Sequence, residues 1–224
     1  MKLDYNTKAE MAILSFQNAV KLHKDSWILY KNKSYSTSYY ISVVALEEFG
    51  KMQILNDHAF YGQIIDNCNT SDSEFENKFN NIYSHLLKQE NAIDDFVYHG
   101  SKETENRYKH ILSKQYNKTK EDSIYVGIRK SNRGNIRICN PLDITRQQTL
   151  YQISLVQELL LDAIVNVKKI GYYYDTIELT YYICKHGTII YRRLKNLKIP
   201  ISKEMERYFN AIEKEPTMTK ADYD

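Results

Sequence analysis

The amino-acid sequence predicts an all-α protein, a bundle of long antiparallel helices with one inserted β-hairpin. Three observations carry this. Seven glycines and three prolines in 224 residues are too few for a turn-rich β-sandwich and suit long helices. Apolar residues recur at i, i+3, i+4 and i+7 through most of the chain, the spacing that gathers side chains on one helical face. Two β-prone runs around a turn signal occur at one place, Ser123 to Cys139.

In chain order, Asp4 or Asn6 can cap a first helix running to about Tyr30, with Ala12, Leu14, Phe16, Ala19, Val20, Trp27 and Leu29 on its apolar side. After the polar connector KNKSYSTS, Ser34 or Ser36 can cap a second helix that passes Leu55 and ends near Gly62. Two long helices with a short link form an antiparallel pair, the unit of a bundle. Beyond the polar loop Asn67 to Ser73, the spacing of Phe75, Phe79, Ile82, Leu86 and Ile93 predicts a third helix from about Glu74 to Val97. The charged stretch that follows suggests a short helix near Glu103 to Tyr116.

The hairpin spans about 123–139 and turns at Ser-Asn-Arg-Gly-Asn. Asn140-Pro141-Leu142-Asp143 closes it, and Asp143 or Thr145 can cap a helix with the stripe Ile153, Val156, Leu160, Ile164 and Val167, down to Gly171. Another helix, about Thr176 to Asn196, sets Ile177, Tyr181, Cys184, Thr188 and Tyr191 on one side. Pro200 interrupts, and Ser202 can start a last helix to about Glu213. The expected organisation is one helical domain over 1–200, then a short C-terminal helix and frayed tail over 201–224.

The net charge of +3 permits an anionic partner without indicating one. Cys68, Cys139 and Cys184 stand far apart without CxxC spacing, as expected of free thiols in a reducing compartment. The start, MKLDYNTKAEMAIL, lacks the apolar run of a signal peptide, and no window is long enough to cross a membrane. A soluble, cytoplasmic protein with no membrane partner is expected. The 20 tyrosines serve first as amphipathic filler of core and surface; a base-stacking platform is the lesser reading.

Several residues can carry chemistry. The second helix has an acid, Glu48, in the stripe of Ile41, Val44, Ala45, Met52 and Leu55. An inward carboxylate needs a partner, and Lys51 is within reach of both Glu48 at i,i+3 and Glu47 at i,i+4. The same spacing serves an ordinary helical salt bridge. On the third helix His85 and Lys88, in HLLK, pair a group that titrates near neutrality with a phosphate-binding cation, or form a solvated helix flank. Arg107 and His110 in RYKH offer a second basic pair. In the hairpin, Tyr125, Arg129, Lys130 and Arg133, with Arg137, can track a phosphate backbone, or form a charged edge that resists sheet aggregation. No P-loop, GxGxxG, GxSxG or HExxH occurs, and the six histidines show no metal-ligand spacing. No metal or other cofactor is expected.

The ordered set SYYISVVALEEFGKMQIL, SHLLKQ, and DSIYVGIRK followed by NPLDIT resembles the AbiV family of phage abortive-infection proteins, over roughly residues 8 to 170. The most specific element is ALEEFGK. The resemblance implies an all-helical HEPN (higher eukaryote and prokaryote nucleotide-binding) domain, commonly a homodimer. It also implies a toxin-like role in which host translation stops, with a phage-encoded activator protein and RNA or the translation machinery as partners. Many HEPN relatives are metal-independent ribonucleases that use an Arg, four to six residues, then a His. RYKH has only two residues between Arg107 and His110, so the matched positions left for catalysis are Glu48, Lys51, His85 and Lys88. Two functions are expected in turn. One is an endoribonuclease that shuts down translation on infection. The other is a non-catalytic dimeric module that senses a phage protein and blocks translation by binding.

Overall fold

Asp4 starts the first helix by accepting a hydrogen bond from the Thr7 amide at 2.8 Å, which satisfies one of the amides a helix leaves unpaired at its start. Helix α1 runs Tyr5–Lys31. The computed structural model describes residues 3–68, 82–97, 109, 115–130, 136–167, 174 and 176–212. After α1 the chain reverses through Lys33, whose φ of 62° is left-handed. The Lys33 and Ser34 amides donate back to Tyr30 and Leu29. Helix α2, Tyr35–Cys68, then packs along α1. It extends past Gly62, the expected stop.

Helix α2 is the central element. It contacts α1, α3 (His85–Val97) and α5 (Arg146–Val165). Between Ser42 and Asn56 it is buried on nearly every side, through Val43, Leu46, Glu47, Phe49, Met52, Ile54 and Leu55. A helix enclosed this way has no single apolar stripe, which is why the face chosen from sequence was the wrong one for its acid. Residues 82–84 form a turn before α3, so the helix expected from Glu74 does not run unbroken to Val97. Residues 69–81 lie outside the described residues, as does most of the expected Glu103–Tyr116 helix. The described helix there is later, α4, Gln115–Asp122.

The hairpin follows. Strands β1 (Gly127–Lys130) and β2 (Ile136–Cys139) pair antiparallel, with Ile128 opposite Ile138 and Arg129 opposite Arg137. A 3-10 turn over Pro141–Asp143 leads to α5. Thr145 caps α5 through a reciprocal box with Gln148. The stripe Ile153, Val156, Leu160, Ile164 and Val167 is buried as expected. Helix α6, Ile177–Asn196, departs from expectation. It turns Leu179, Ile183, Gly187 and Leu194 inward and leaves Ile177 and Tyr181 exposed. Helix α7, Lys203–Ile212, starts where Glu158 accepts from the Ser202 amide at 2.6 Å, and it buries Phe209 in the common core. Cys139 is buried and Cys184 half-buried, both as free thiols. Among the described residues no helix is long and apolar enough to cross a membrane.

Candidate functional site

The site forms where α2 and α3 cross. A Cβ at Gly50 would overlap the backbone carbonyl of Lys88 and press on the Ala92 amide nitrogen. Glycine here allows a close backbone approach, and that approach fixes which α2 residues face α3. Glu47 lies one turn before Gly50 and shares its face. It is 2% exposed.

Four groups converge on the Glu47 carboxylate. Gln89 Nε2 donates to Oε1 at 2.7 Å, Lys120 Nζ reaches Oε1 at 2.8 Å and Oε2 at 3.1 Å, and His85 Nδ1 lies 2.7 Å from Oε2. Lys88 Nζ stands 3.9 Å from Oε2. On α3 the contributing positions His85, Lys88 and Gln89 are spaced i, i+3 and i+4, one helical face. Lys120 arrives from α4, with Tyr116 one turn earlier packed at 6.4 Å from Tyr39 of α2. The Lys120 ammonium also stands 5.7 Å above the Tyr40 ring, a cation–π distance.

The charges at this junction are asymmetric. Glu47 and Glu48 face three ammonium groups, those of Lys51, Lys88 and Lys120. Burial pushes the pKa of Lys88 down; Glu47 and Glu48 oppose that shift, while Lys120 and Lys51 add to it. The carboxylate of Glu47 can only accept hydrogen bonds, so its 2.7 Å bond to His85 needs the proton on Nδ1; the Lys120 ammonium, 3.1 Å from the same nitrogen and itself only a donor, then makes a contact there and no hydrogen bond. In the neutral ring Nε2 is then the acceptor, and no described residue pairs with it. The His85 side chain is 54% exposed. Chemically this is a carboxylate-oriented imidazole beside excess positive charge, an arrangement that can move protons next to an anion.

The structure brings His85, Lys88, Lys51 and Glu48 into one neighbourhood, but it changes the acid that organises them. Glu48 is 17% exposed and its contact is Lys51 at 3.9 Å. The inward carboxylate is its neighbour Glu47, turned by about 100° on the helix. Gln89 and Lys120 were missed. Gln89 was legible as the i+4 position from His85; Lys120 was not, because nothing in NKTKED separates Lys118 from Lys120. In the hairpin Tyr125 and Lys130 are exposed, Arg129 is paired with Arg137, and Arg133 lies outside the described residues. Arg107 and His110 also lie outside them. Among the described residues no three His, Cys, Asp or Glu side chains gather as a metal site.

A family model, HEPN_AbiV, described as AbiV, matches residues 8–161. The match runs from α1 into α5 and contains every member of the Glu47 cluster. No curated protein and no solved structure matches the chain.

Proposed function

The chain belongs to the AbiV family of HEPN-domain abortive-infection proteins, and on that premise we propose that it is a metal-independent ribonuclease that stops host translation on phage infection. One observation carries the reading: His85 is half exposed, yet its Nδ1 is held at 2.7 Å by a carboxylate that is itself buried. A buried acid that fixes the tautomer leaves the outward nitrogen ready to exchange protons.

In the proposed reaction His85 Nε2 takes the proton from a ribose 2′-hydroxyl, whose oxygen attacks the adjacent phosphorus and displaces the 5′-oxygen. A water molecule gives that leaving oxygen its proton, which completes the step with a 2′,3′-cyclic phosphate and a free 5′-hydroxyl as products. Lys88 and Lys51, with Lys120 behind them, oppose the negative charge that grows on the phosphoryl oxygens. Glu47 and Lys120 are positioning residues. Glu48 holds Lys51. Tyr125, Arg129, Lys130 and Arg133 of the hairpin can hold RNA further along its backbone.

The test incubates purified chain with total bacterial RNA, with and without extract of phage-infected cells. Defined fragments from the wild type and none from His85→Ala support the reading. Equal cleavage by both, or none by the wild type under either condition, contradicts it.

The second reading, a non-catalytic module that senses a phage protein and blocks translation by binding, draws on the exposed apolar face of the hairpin. Under it Glu47 and its partners only hold α2, α3 and α4 together. Full defence against phage by a folded His85→Ala would favour this second reading.

A further inference from the structure

Two tyrosines beside the Glu47 cluster have no part in holding the fold together. Their neighbours do: Tyr39 packs on Tyr116 in the core, and Tyr208 donates to Asn166. Tyr40 of α2 is half-buried, and among the described residues its hydroxyl has no hydrogen-bond partner and its ring meets only the Lys120 ammonium. Tyr83, in the turn before α3, is 77% exposed and pairs with no described ring or polar group. The backbone on either side of it is pinned, since Ile82 is buried in the core and the Ser84 carbonyl accepts from the Lys88 amide at 3.2 Å.

Both tyrosines stand on the same side of the site. Glu47 meets His85, and three residues on Gly50 meets the Lys88 backbone, so α2 and α3 advance in step past their crossing. Tyr40 precedes Glu47 by about two turns, and Tyr83 comes just before His85 on the other helix. Lys51 and Lys88 lie further along in the opposite direction. Lys120 Nζ is 5.7 Å from the centre of the Tyr40 ring and 3.1 Å from His85 Nδ1, so ring and imidazole share one close neighbour. The partly exposed positions of α2 here are Tyr40, Val44, Glu48 and Lys51. They form one stripe along the helix, roughly 16 Å long at 1.5 Å per residue. It is aromatic at one end and cationic at the other.

We propose that the aromatic end receives unpaired bases, which makes single-stranded RNA the substrate class of this site. The inference rests on the ribonuclease reading and deepens it. The nucleotide whose 2′-hydroxyl faces His85 lays its base on Tyr40, and its 3′-phosphate reaches Lys51 and Lys88. Tyr83 takes the base next to it. A base inside a duplex is already stacked on its neighbours and has no face to offer a ring, whereas an unpaired base has one. In-line attack makes the same demand, because the 2′-oxygen, the phosphorus and the 5′-oxygen line up only when the nucleotide leaves the A-form helix. Every base has a face that can stack, so cleavage should choose unpaired positions with little regard for sequence.

A fluorescein-labelled oligoribonucleotide of mixed sequence, alone or annealed to its complement, tests this on the full-length chain. Wild type should cut the single strand and leave the duplex intact. Binding is read by anisotropy on His85→Ala, which should prefer the single strand. Adding Tyr40→Leu should weaken binding to the single strand by about 5- to 100-fold, the worth of one stacked base. Duplex binding and helical circular dichroism should not change, and Tyr40→Phe should bind as the tyrosine does. Tyr83→Leu, which leaves Lys120 its ring, should act in the same direction. Single-strand affinity that survives the loss of both rings overturns the proposal, as does equal cleavage of single strand and duplex by the wild type; neither result touches the ribonuclease reading. A wild type that cuts neither strand but binds the single strand through Tyr40 overturns the ribonuclease reading and supports the stacking site. A chain that binds neither strand overturns both.

Discussion

His23 and His85 each make a short side-chain hydrogen bond, 2.6 Å to Gln157 and 2.7 Å to Glu47, but their surroundings give them opposite chemistry. His23 is fully buried between α1 and α5. Gln157 donates its Nε2 to the Leu194 carbonyl at 2.9 Å, so its oxygen faces the ring and accepts from His23 Nε2. Burial pushes the His23 pKa down to about 4, against a smaller opposing effect of the Gln157 bond. That imidazole stays neutral at physiological pH and ties α1 to α5 and α6. His85 has a carboxylate for a partner and water on its outer side. A histidine buried against an amide is a structural tie, whereas one exposed and held by a buried acid is equipped for proton transfer.

The contrast can be broken most strongly at Glu47. Glu47→Ala leaves Lys88 and Lys120 buried without their shared carboxylate, and should cost about 3–5 kcal/mol in chemical denaturation. A loss under about 1 kcal/mol would mean that the cluster is not the tie described. Next in size is the acid response of His23. Between pH 6.5 and about 4 the unfolded chain binds a proton that the folded chain refuses. Stability should therefore fall as pH drops through that window, by about 3 kcal/mol in total, and this component should not fall further below it. His23→Gln should remove this component from the pH profile; an unaltered profile would show that the ring is not kept neutral. Gly50→Ala comes third. It forces α2 and α3 apart at the Lys88 carbonyl and should cost about 1–3 kcal/mol, with a shift of the His85 imidazole resonances if the crossing sets that geometry. The smallest effect on stability belongs to His85→Ala, at about 1 kcal/mol or less, because the ring is half exposed and Glu47 keeps its other donors. A loss as large as that of Glu47→Ala would place His85 among the structural residues.

The same contrast explains what the sequence could and could not disclose. Helices α1, α5 and α7 were legible because Asp4, Thr145 and Ser202 mark their starts and their apolar spacing is regular. The hairpin was legible from one turn signal. The organising acid was not, because α2 is enclosed on nearly all sides and periodicity then selects no face. Gly50 was the available clue: a glycine in the middle of a long helix marks a close crossing, and the residue one turn before it faces the same neighbour. In α6 the spacing of Ile177, Tyr181 and Cys184 competed with that of Leu179, Ile183 and Leu194, and only packing against α1 and α5 decided between them. Lys120 carried no signal at all, since its role comes from where α4 docks.

The central claim is that Glu47 makes His85, and not His23, a proton-transfer group. The direct measurement is the rate of RNA cleavage at pH 7 by wild type, His85→Ala and His23→Gln, each shown to be folded by circular dichroism. The account predicts a loss of roughly 10² to 10⁴ in rate for His85→Ala and a rate within about twofold of wild type for His23→Gln. Equal rates for the two variants, or a wild type that cleaves no RNA, would contradict it.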